Sequence, residues 1–251
     1  MKRSLNRLVG FSVKAKDGDK GSVKDFLFDE ERWTIRYLEV KLGNIFKNRK
    51  VLIPRVNLGE PEWMSEHFPV NLDMEVIEKS PGIDFDSPVS RRYEQMLFNH
   101  YAMQPYWAQQ YAGYSGIASM LDPNRPVPSR YPEKVVDEND IDTSLRSFNE
   151  VRGYTIESTD DRFGHIEDLI IEDENWHVFY VVIDTKDLLP WSKKVMLPIE
   201  VISEISYVGR KATIKMTRDD IEAAPEFDPS MAVNEEYEKV LYDFYGRKIK
   251  V

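Results

Sequence analysis

The chain carries the same pattern of residues twice. Residues 8–43 recur without a gap at residues 151–186, which is 143 positions later. Between the identities, apolar residues align with apolar residues. The identical pairs are Gly10 and Gly153, Asp17 and Asp160, Gly21 and Gly164, Asp25 and Asp168, Glu31 and Glu174, Trp33 and Trp176, and Tyr37 and Tyr180. Because the copies share turn and core positions but no catalytic cluster of polar residues, the repeat is that of a scaffold.

Composition limits the classes of protein that remain. With 251 residues the chain is long enough for two domains of ordinary size. It has no cysteine, which excludes disulfides and thiolate metal sites and favours a reducing compartment such as the cytoplasm. No run approaches the roughly 18 apolar residues of a membrane-spanning helix, and no signal peptide is visible. The net charge of −10 argues against direct contact with nucleic acid, because phosphates repel an acidic protein.

Each copy reads as a series of short strands followed by a helix. Alternating apolar residues joined by Asp- and Gly-rich turns are typical of hairpins, so we expect an antiparallel sheet. Apolar residues at helical spacing then predict one helix per copy, at 93–101 and 237–245. The predicted strands are 9–16, 23–28, 33–40, 50–54 and 73–79 in the first copy, and 152–159, 166–171, 176–183, 194–198 and 211–217 in the second.

The segment between the copies matches neither of them. We therefore expect a first domain at 1–102, a Pro- and Tyr-rich linker at 103–149 and a second domain at 150–251. The linker is too aromatic to be inert, and we expect it to dock on the two domains or on a partner.

The order of these motifs resembles the PRC-barrel family. Leu-Val-Gly-Phe and Val-Arg-Gly-Tyr open the copies, an Asp-rich turn and a strand containing Asp25 or Asp168 follow, and Val-Leu-Ile-Pro and Val-Met-Leu-Pro end the fourth strands. Members form the cytoplasmic domain of the photosynthetic reaction-centre H subunit and the carboxy-terminal domain of a ribosome maturation factor. The resemblance implies a mainly β fold of two small antiparallel barrels, each followed by a helix. We expect the two barrels to pack as a pseudo-symmetric pair, with the helices between them or across a dimer. The resemblance also implies that residues 60–72 are an insertion in the first copy.

The resemblance further implies a non-catalytic module for protein interaction or assembly. We expect another protein, or a second copy of this chain, as the partner, and neither direct nucleic-acid binding nor a cofactor. Two alternatives remain open. One is a ribosome-associated factor that binds a basic ribosomal protein, and the other is an enzyme whose site lies between the barrels and uses His67, His100 and Glu66.

The residues that could take part in catalysis or metal binding are expected to have structural roles. The repeated Asp25 and Asp168 are expected to satisfy main-chain donors at a bend. His165 and His177 approach each other if their strands pair, but no set of three or four metal ligands is evident, so we expect surface histidines and no metal site. For Trp33 and Trp176 we expect packing in the core as the first role and a shared binding platform as the second. The candidate protein-binding residues are Trp33, Trp176, Trp63, Tyr106, Trp107 and Tyr111.

Overall fold

A computed structural model describes residues 1–43, 49–83, 89, 91–103, 145–185, 193–229 and 233–246. The strands are β1 Lys2–Ser4, β2 Ser12–Ala15, β3 Gly18–Asp29, β4 Thr34–Leu42, β5 Arg49–Pro54, β6 His67–Pro69, β7 Leu145–Ser147, β8 Thr155–Glu157, β9 Arg162–Glu172, β10 His177–Asp184, β11 Lys194–Pro198, β12 Ile202–Ser206 and β13 Lys211–Ile214. The helices are α1 Leu5–Leu8, α2 Met74–Lys79, α3 Arg91–His100, α4 Phe148–Val151, α5 Arg218–Glu222 and α6 Glu235–Tyr245. The mainly β class and the helix after each copy are confirmed.

The described strands form one open, mixed sheet. Its main order is β12-β13-β8-β9-β10-β4-β3-β2-β6, with β1, β5, β7 and β11 attached to its inner strands. Two closed barrels are therefore not confirmed. The expectation of a purely antiparallel sheet is wrong, because β2 pairs with β6 and β8 pairs with β13 in parallel. Neighbours in sequence form antiparallel hairpins, whereas the first and last strands of a copy meet after a long connection and run in the same direction.

The two copies join at the centre of the sheet through equivalent residues. Thr34 of β4 lies opposite His177 of β10. The amide of Ile35 donates to the carbonyl of Trp176 at 2.9 Å, and the amide of Val178 donates to that of Trp33 at 2.7 Å. Each donor and acceptor maps onto the other pair by the repeat, so a pseudo-twofold axis passes between the two strands.

The copies also exchange their first residues. We call Lys2–Leu8 and Leu145–Val151 the arms; each consists of a three-residue strand and a four-residue helix. The first arm pairs with β9 of the second copy, and the second arm pairs with β3 of the first copy. Residues 145–149 therefore belong to the folded sheet and not to the linker, and each copy completes the sheet of the other.

The region after β5 corrects two expectations. Residues 73–79 are not a strand but contain α2, whose Ile77 is buried. The fifth strand is β6, because His67 lies beside Ser12 just as Lys211 lies beside Thr155 in the second copy. Residues 60–72 are consequently not an insertion. They are the counterpart of the β12–β13 hairpin, displaced by 144 positions. The strand β6 has only three residues and ends in proline, so it is too short to give a periodic signal in the sequence.

One apolar core runs through both copies. The ring of Trp176 lies 6.4 Å from that of Phe26 and 5.5 Å from that of Phe68, so residues of the two copies pack together. The carboxy-terminal helices cover their own copies, with Tyr101 donating to the carbonyl of Leu52 at 2.9 Å. In the second copy Tyr245 donates to the carbonyl of Met196 at the same distance. This contact within each copy differs from the expected position of the helices between two barrels.

Candidate interaction surface

The arm of each copy is held by one buried aspartate of the other. The carboxylate of Asp168 accepts hydrogen bonds from the amide of Asn6 at 3.0 Å, from the amide of Leu169 at 2.8 Å and from the hydroxyl of Ser4. Only 5% of Asp168 is exposed. The arrangement binds three donors at one point, so the prediction that the repeated aspartate satisfies main-chain donors is confirmed.

Asp25 makes the equivalent junction with the second arm. It accepts from the amide of Asn149 at 2.9 Å, from the amide of Phe26 at 2.7 Å and from the hydroxyl of Ser147. Ser147 also caps α4 by accepting from the amide of Glu150 at 3.0 Å. One serine therefore both starts the short helix and fixes it to the neighbouring copy.

An ion pair reinforces each arm. Arg3 donates to Asp173 at 2.8 Å, and Arg146 donates to Glu30 at 2.7 and 2.8 Å. The two ion pairs are equivalent, because the repeat aligns Arg3 with Arg146 and Asp173 with Glu30. The sequence signal for the arms is the shared Arg-Ser-x-Asn at 3–6 and 146–149, which lies upstream of the repeat of residues 8–43 at 151–186.

Burial of Asp168 gives a testable dependence of stability on pH. Desolvation raises the pKa of Asp168 from 3.8 to about 6, although the bonds from Ser4, Asn6 and Leu169 lower it. The folded state therefore binds more protons than the unfolded state between these values, and this contribution to the free energy of unfolding is lost as pH rises from about 4 through about 6. The loss is at most about 3 kcal/mol.

The measurement is urea unfolding of the wild type and Asp168→Asn from pH 4 to pH 8. Asparagine cannot ionise, so the difference between the two proteins isolates this carboxyl from the others. We expect the wild type to lose stability relative to the variant as pH rises. A difference that is constant across the series would contradict the assignment.

A cleft of about 240 Å³ lies beside the first arm. The guanidinium groups of Arg3 and Arg7 lie 4.9 and 5.3 Å from the ring of Trp63, and Phe11 packs against that ring edge-on at 5.3 Å. The cleft is lined by Lys2, Arg3, Ser4, Arg7, Trp63, Asp168, Ile170, Phe227, Pro229 and Val233.

The equivalent place in the first copy is chemically different. Leu145 stands where the first arm has Lys2, and Glu150 stands where it has Arg7. Leu145 is buried in a small apolar cluster with Leu27 and Val89. Among the described residues, the second arm therefore lacks the two basic residues, Lys2 and Arg7, that line the cleft beside the first arm.

Both copies place an apolar pair at the tip of their last hairpin. We call Trp63–Met64 and Tyr207–Val208 the hairpin tips; they are related by the displacement of 144. Met64 and Val208 are almost completely exposed, more than any other large apolar residue described. An arginine of the adjacent arm lies over each aromatic ring, with Arg146 at 6.0 Å from Tyr207.

The structure separates the predicted binding residues. Trp176 is 5% exposed and Trp33 is half-buried against the core, which agrees with packing as their first role. Both have left-handed backbones, with φ of 49° at Trp33 and 60° at Trp176. Trp63 lines the cleft at a hairpin tip, and the remaining three candidates, Tyr106, Trp107 and Tyr111, lie outside the described residues.

The residues weighed for catalysis or metal binding are dispersed. His177 lies at the pseudo-twofold axis opposite Thr34, whereas His165 lies at the far end of the same hairpin opposite Asp184, so the two histidines do not meet. His67 lies 3.6 Å from Asp19, and His100 contacts the carbonyl of Val76 at 2.8 Å. The cleft beside the first arm contains none of His67, His100 and Glu66.

Comparison with known proteins identifies the scaffold. A family model described as the PRC-barrel domain matches residues 2–62 and 145–221, which together make up more than half of the chain. Both matched segments begin at an arm, which makes the arms part of the family's domain. A search of curated proteins finds no match to the chain. Within the described residues, none of the helices has the length and apolar character that crossing a membrane requires.

Proposed function

The chain belongs to the PRC-barrel domain family, and from this premise we propose that it is a non-catalytic protein-interaction module whose partner docks on the two hairpin tips. The observation that carries the proposal is the pair of exposed tips at Met64 and Val208, related by the pseudo-twofold axis. The family supports a module that binds, and we assign no reaction to the chain.

The tips have the composition of energetically important contact sites. Tryptophan, tyrosine and arginine are the residues enriched where protein interfaces concentrate their binding energy. Here Trp63 lies beneath Arg3 and Arg7, and Tyr207 lies beneath Arg146. Each tip therefore offers an apolar side chain next to a guanidinium group. Arg3 and Arg146 are already paired with Asp173 and Glu30, so Arg7 at the first tip is the cation that suits a partner's carboxylate.

The same charges bear on the ribosomal alternative. A basic ribosomal protein would place its cations beside Arg7 at the first tip, and like charges across an interface oppose association. The overall charge of −10 still permits such a partner at another surface. We therefore favour a partner with an acidic group at the first tip.

A double substitution tests this docking surface. Met64→Glu together with Val208→Glu places a charge at both tips without touching the core. The matched control is Met96→Glu with Val240→Glu, because these residues form another pair related by the repeat and are 48% and 46% exposed on α3 and α6. We expect crosslinking in native lysate, followed by affinity capture, to recover a specific partner with the wild type and with the control.

The tip variant is expected to bind that partner at least tenfold more weakly, which corresponds to about 1.4 kcal/mol. Equal binding by the tip and control variants would refute the surface. Recovery of no specific partner by the wild type would count against an interaction module altogether. Circular dichroism of each variant establishes that the fold is unchanged.

A further inference from the structure

Three potential metal ligands meet on the hairpin of β9 and β10. His165 lies directly opposite Asp184, and Glu167 follows two residues later on β9. One ligand atom of each residue lies within 4.8 Å of those of the other two. The imidazole Nε2 of His165 is 3.6 Å from Oε2 of Glu167. The three side chains therefore surround a common point.

A β-bulge contributes to this convergence. The pairing of β9 with β10 shifts between Asp168 and Ile166, which leaves Glu167 as the extra residue. Bulges bend a strand and re-aim the side chain of the extra residue. The register across two strands, and not spacing along one, brings Asp184 to the pair on β9.

Lys194 fixes the orientation of Glu167. The ammonium group of Lys194 donates to Oε1 of Glu167 at 2.6 Å. The other oxygen, Oε2, is the one that faces His165. A neighbour that holds one carboxylate oxygen and leaves the second towards the remaining ligands is the usual support of a metal-binding carboxylate.

The scaffold does not require these residues. At the equivalent positions the first copy has Ser22, Lys24 and Lys41, in strands with the same pairing. A histidine and two carboxylates thus occur in one copy where the other has a hydroxyl and two cations. Because both copies form the same hairpin, its fold does not require these three residues.

We propose that His165, Glu167 and Asp184 bind a divalent transition-metal ion of the zinc type. Imidazole nitrogen and carboxylate oxygen are established ligands of zinc, with metal–ligand distances of about 2.0–2.2 Å. Tetrahedral geometry at those distances separates ligand atoms by roughly 3.3–3.6 Å, so ligand atoms that lie within 4.8 Å of one another need to approach by at most about 1.5 Å. Three protein ligands leave the fourth position to water or to a residue of a partner.

The experiment is isothermal titration of the full-length chain with ZnCl₂ after treatment with a chelator. We expect the wild type to bind one equivalent with a micromolar dissociation constant. His165→Ser, which installs the residue of the first copy, is expected to weaken binding at least tenfold. The matched control His177→Thr installs the first copy's residue at a histidine outside the cluster and is expected to bind as the wild type does.

Two outcomes would overturn the proposal. One is a wild type that binds no zinc below about 100 μM, and the other is an equal loss in His165→Ser and His177→Thr. Lys194→Met provides a second measurement, because loss of the ammonium group that orients Glu167 is expected to weaken zinc binding about tenfold, whereas unchanged or tighter binding would contradict the assigned geometry. Thermal unfolding without metal checks that each variant folds, and the visible spectrum of bound Co²⁺ reports the coordination directly.

Discussion

Alanine at position 21 or 164 is expected to lower the free energy of unfolding by about 3–5 kcal/mol. A Cβ atom at Gly21 would lie 2.3 Å from the carbonyl oxygen of Lys41, and one at Gly164 would lie 2.4 Å from that of Asp184. Both contacts are with the backbone of the paired strand, which cannot rotate away. The left-handed φ values of +79° and +51° add about 1–2 kcal/mol to the cost of the clash.

The first glycine of each repeat supplies the control. Gly10 and Gly153 also have positive φ, +98° and +91°, but an added Cβ would meet no atom within 4 Å. Alanine at Gly10 or Gly153 is expected to lower the free energy of unfolding only by the cost of the left-handed backbone, about 1–2 kcal/mol. Denaturation in guanidinium chloride, followed by tryptophan fluorescence and circular dichroism together, measures all four variants. A loss at position 21 no larger than that at position 10 would show that the strands can separate to accept the methyl group.

These glycines illustrate what the sequence predicts well. A repeated glycine where a strand restarts indicates a bend or bulge, and the structure has a register shift at both Gly21 and Gly164. The hairpins from β3 to β5 and from β9 to β11 were predictable for a related reason: turn residues and apolar alternation are local signals. The same holds for α3 and α6, whose apolar faces have helical spacing.

The arms could not be recognised from local pattern. A three-residue strand and a four-residue helix are too short to show a period. Their stability comes from contacts across the chain, such as that of Ser4 with Asp168, 164 positions away. The repeat itself did contain the signal, since Arg3, Ser4 and Asn6 match Arg146, Ser147 and Asn149. Extending the alignment upstream would have predicted equivalent arms, though not their exchange.

The proposed metal site shows the same limit. His165 and Glu167 are two residues apart on one strand and visible in the sequence. Asp184 joins them only through the register of the hairpin, which includes a bulge at Glu167. Since the extra residue of a bulge shifts all subsequent pairs, spacing alone does not reveal such a cluster.

Alanine in place of Asp25 or Asp168 is the other substitution expected to have a large effect, about 2–3 kcal/mol at each position. Removal of the Asp168 carboxylate leaves the amides of Asn6 and Leu169 without their acceptor, and each unsatisfied buried donor costs about 1–3 kcal/mol. Relief of the buried charge offsets part of the loss, because burial disfavours the ionised carboxylate.

Glu31→Ala and Glu174→Ala are the matched controls, because these acids are also identical in the two copies but lie exposed in turns. They are expected to change stability by no more than about 0.5 kcal/mol. Urea unfolding gives the global loss, and hydrogen exchange at the amides of Asn6 and Asn149 reports on the arms themselves. Asp168→Ala should accelerate exchange at Asn6 more than at Asn149, and Asp25→Ala should do the reverse. If both amides instead remain protected from hydrogen exchange while the free energy of unfolding falls, the aspartates stabilise the sheet without holding the arms. The docking of each arm on the other copy would then depend on the arginine ion pairs alone.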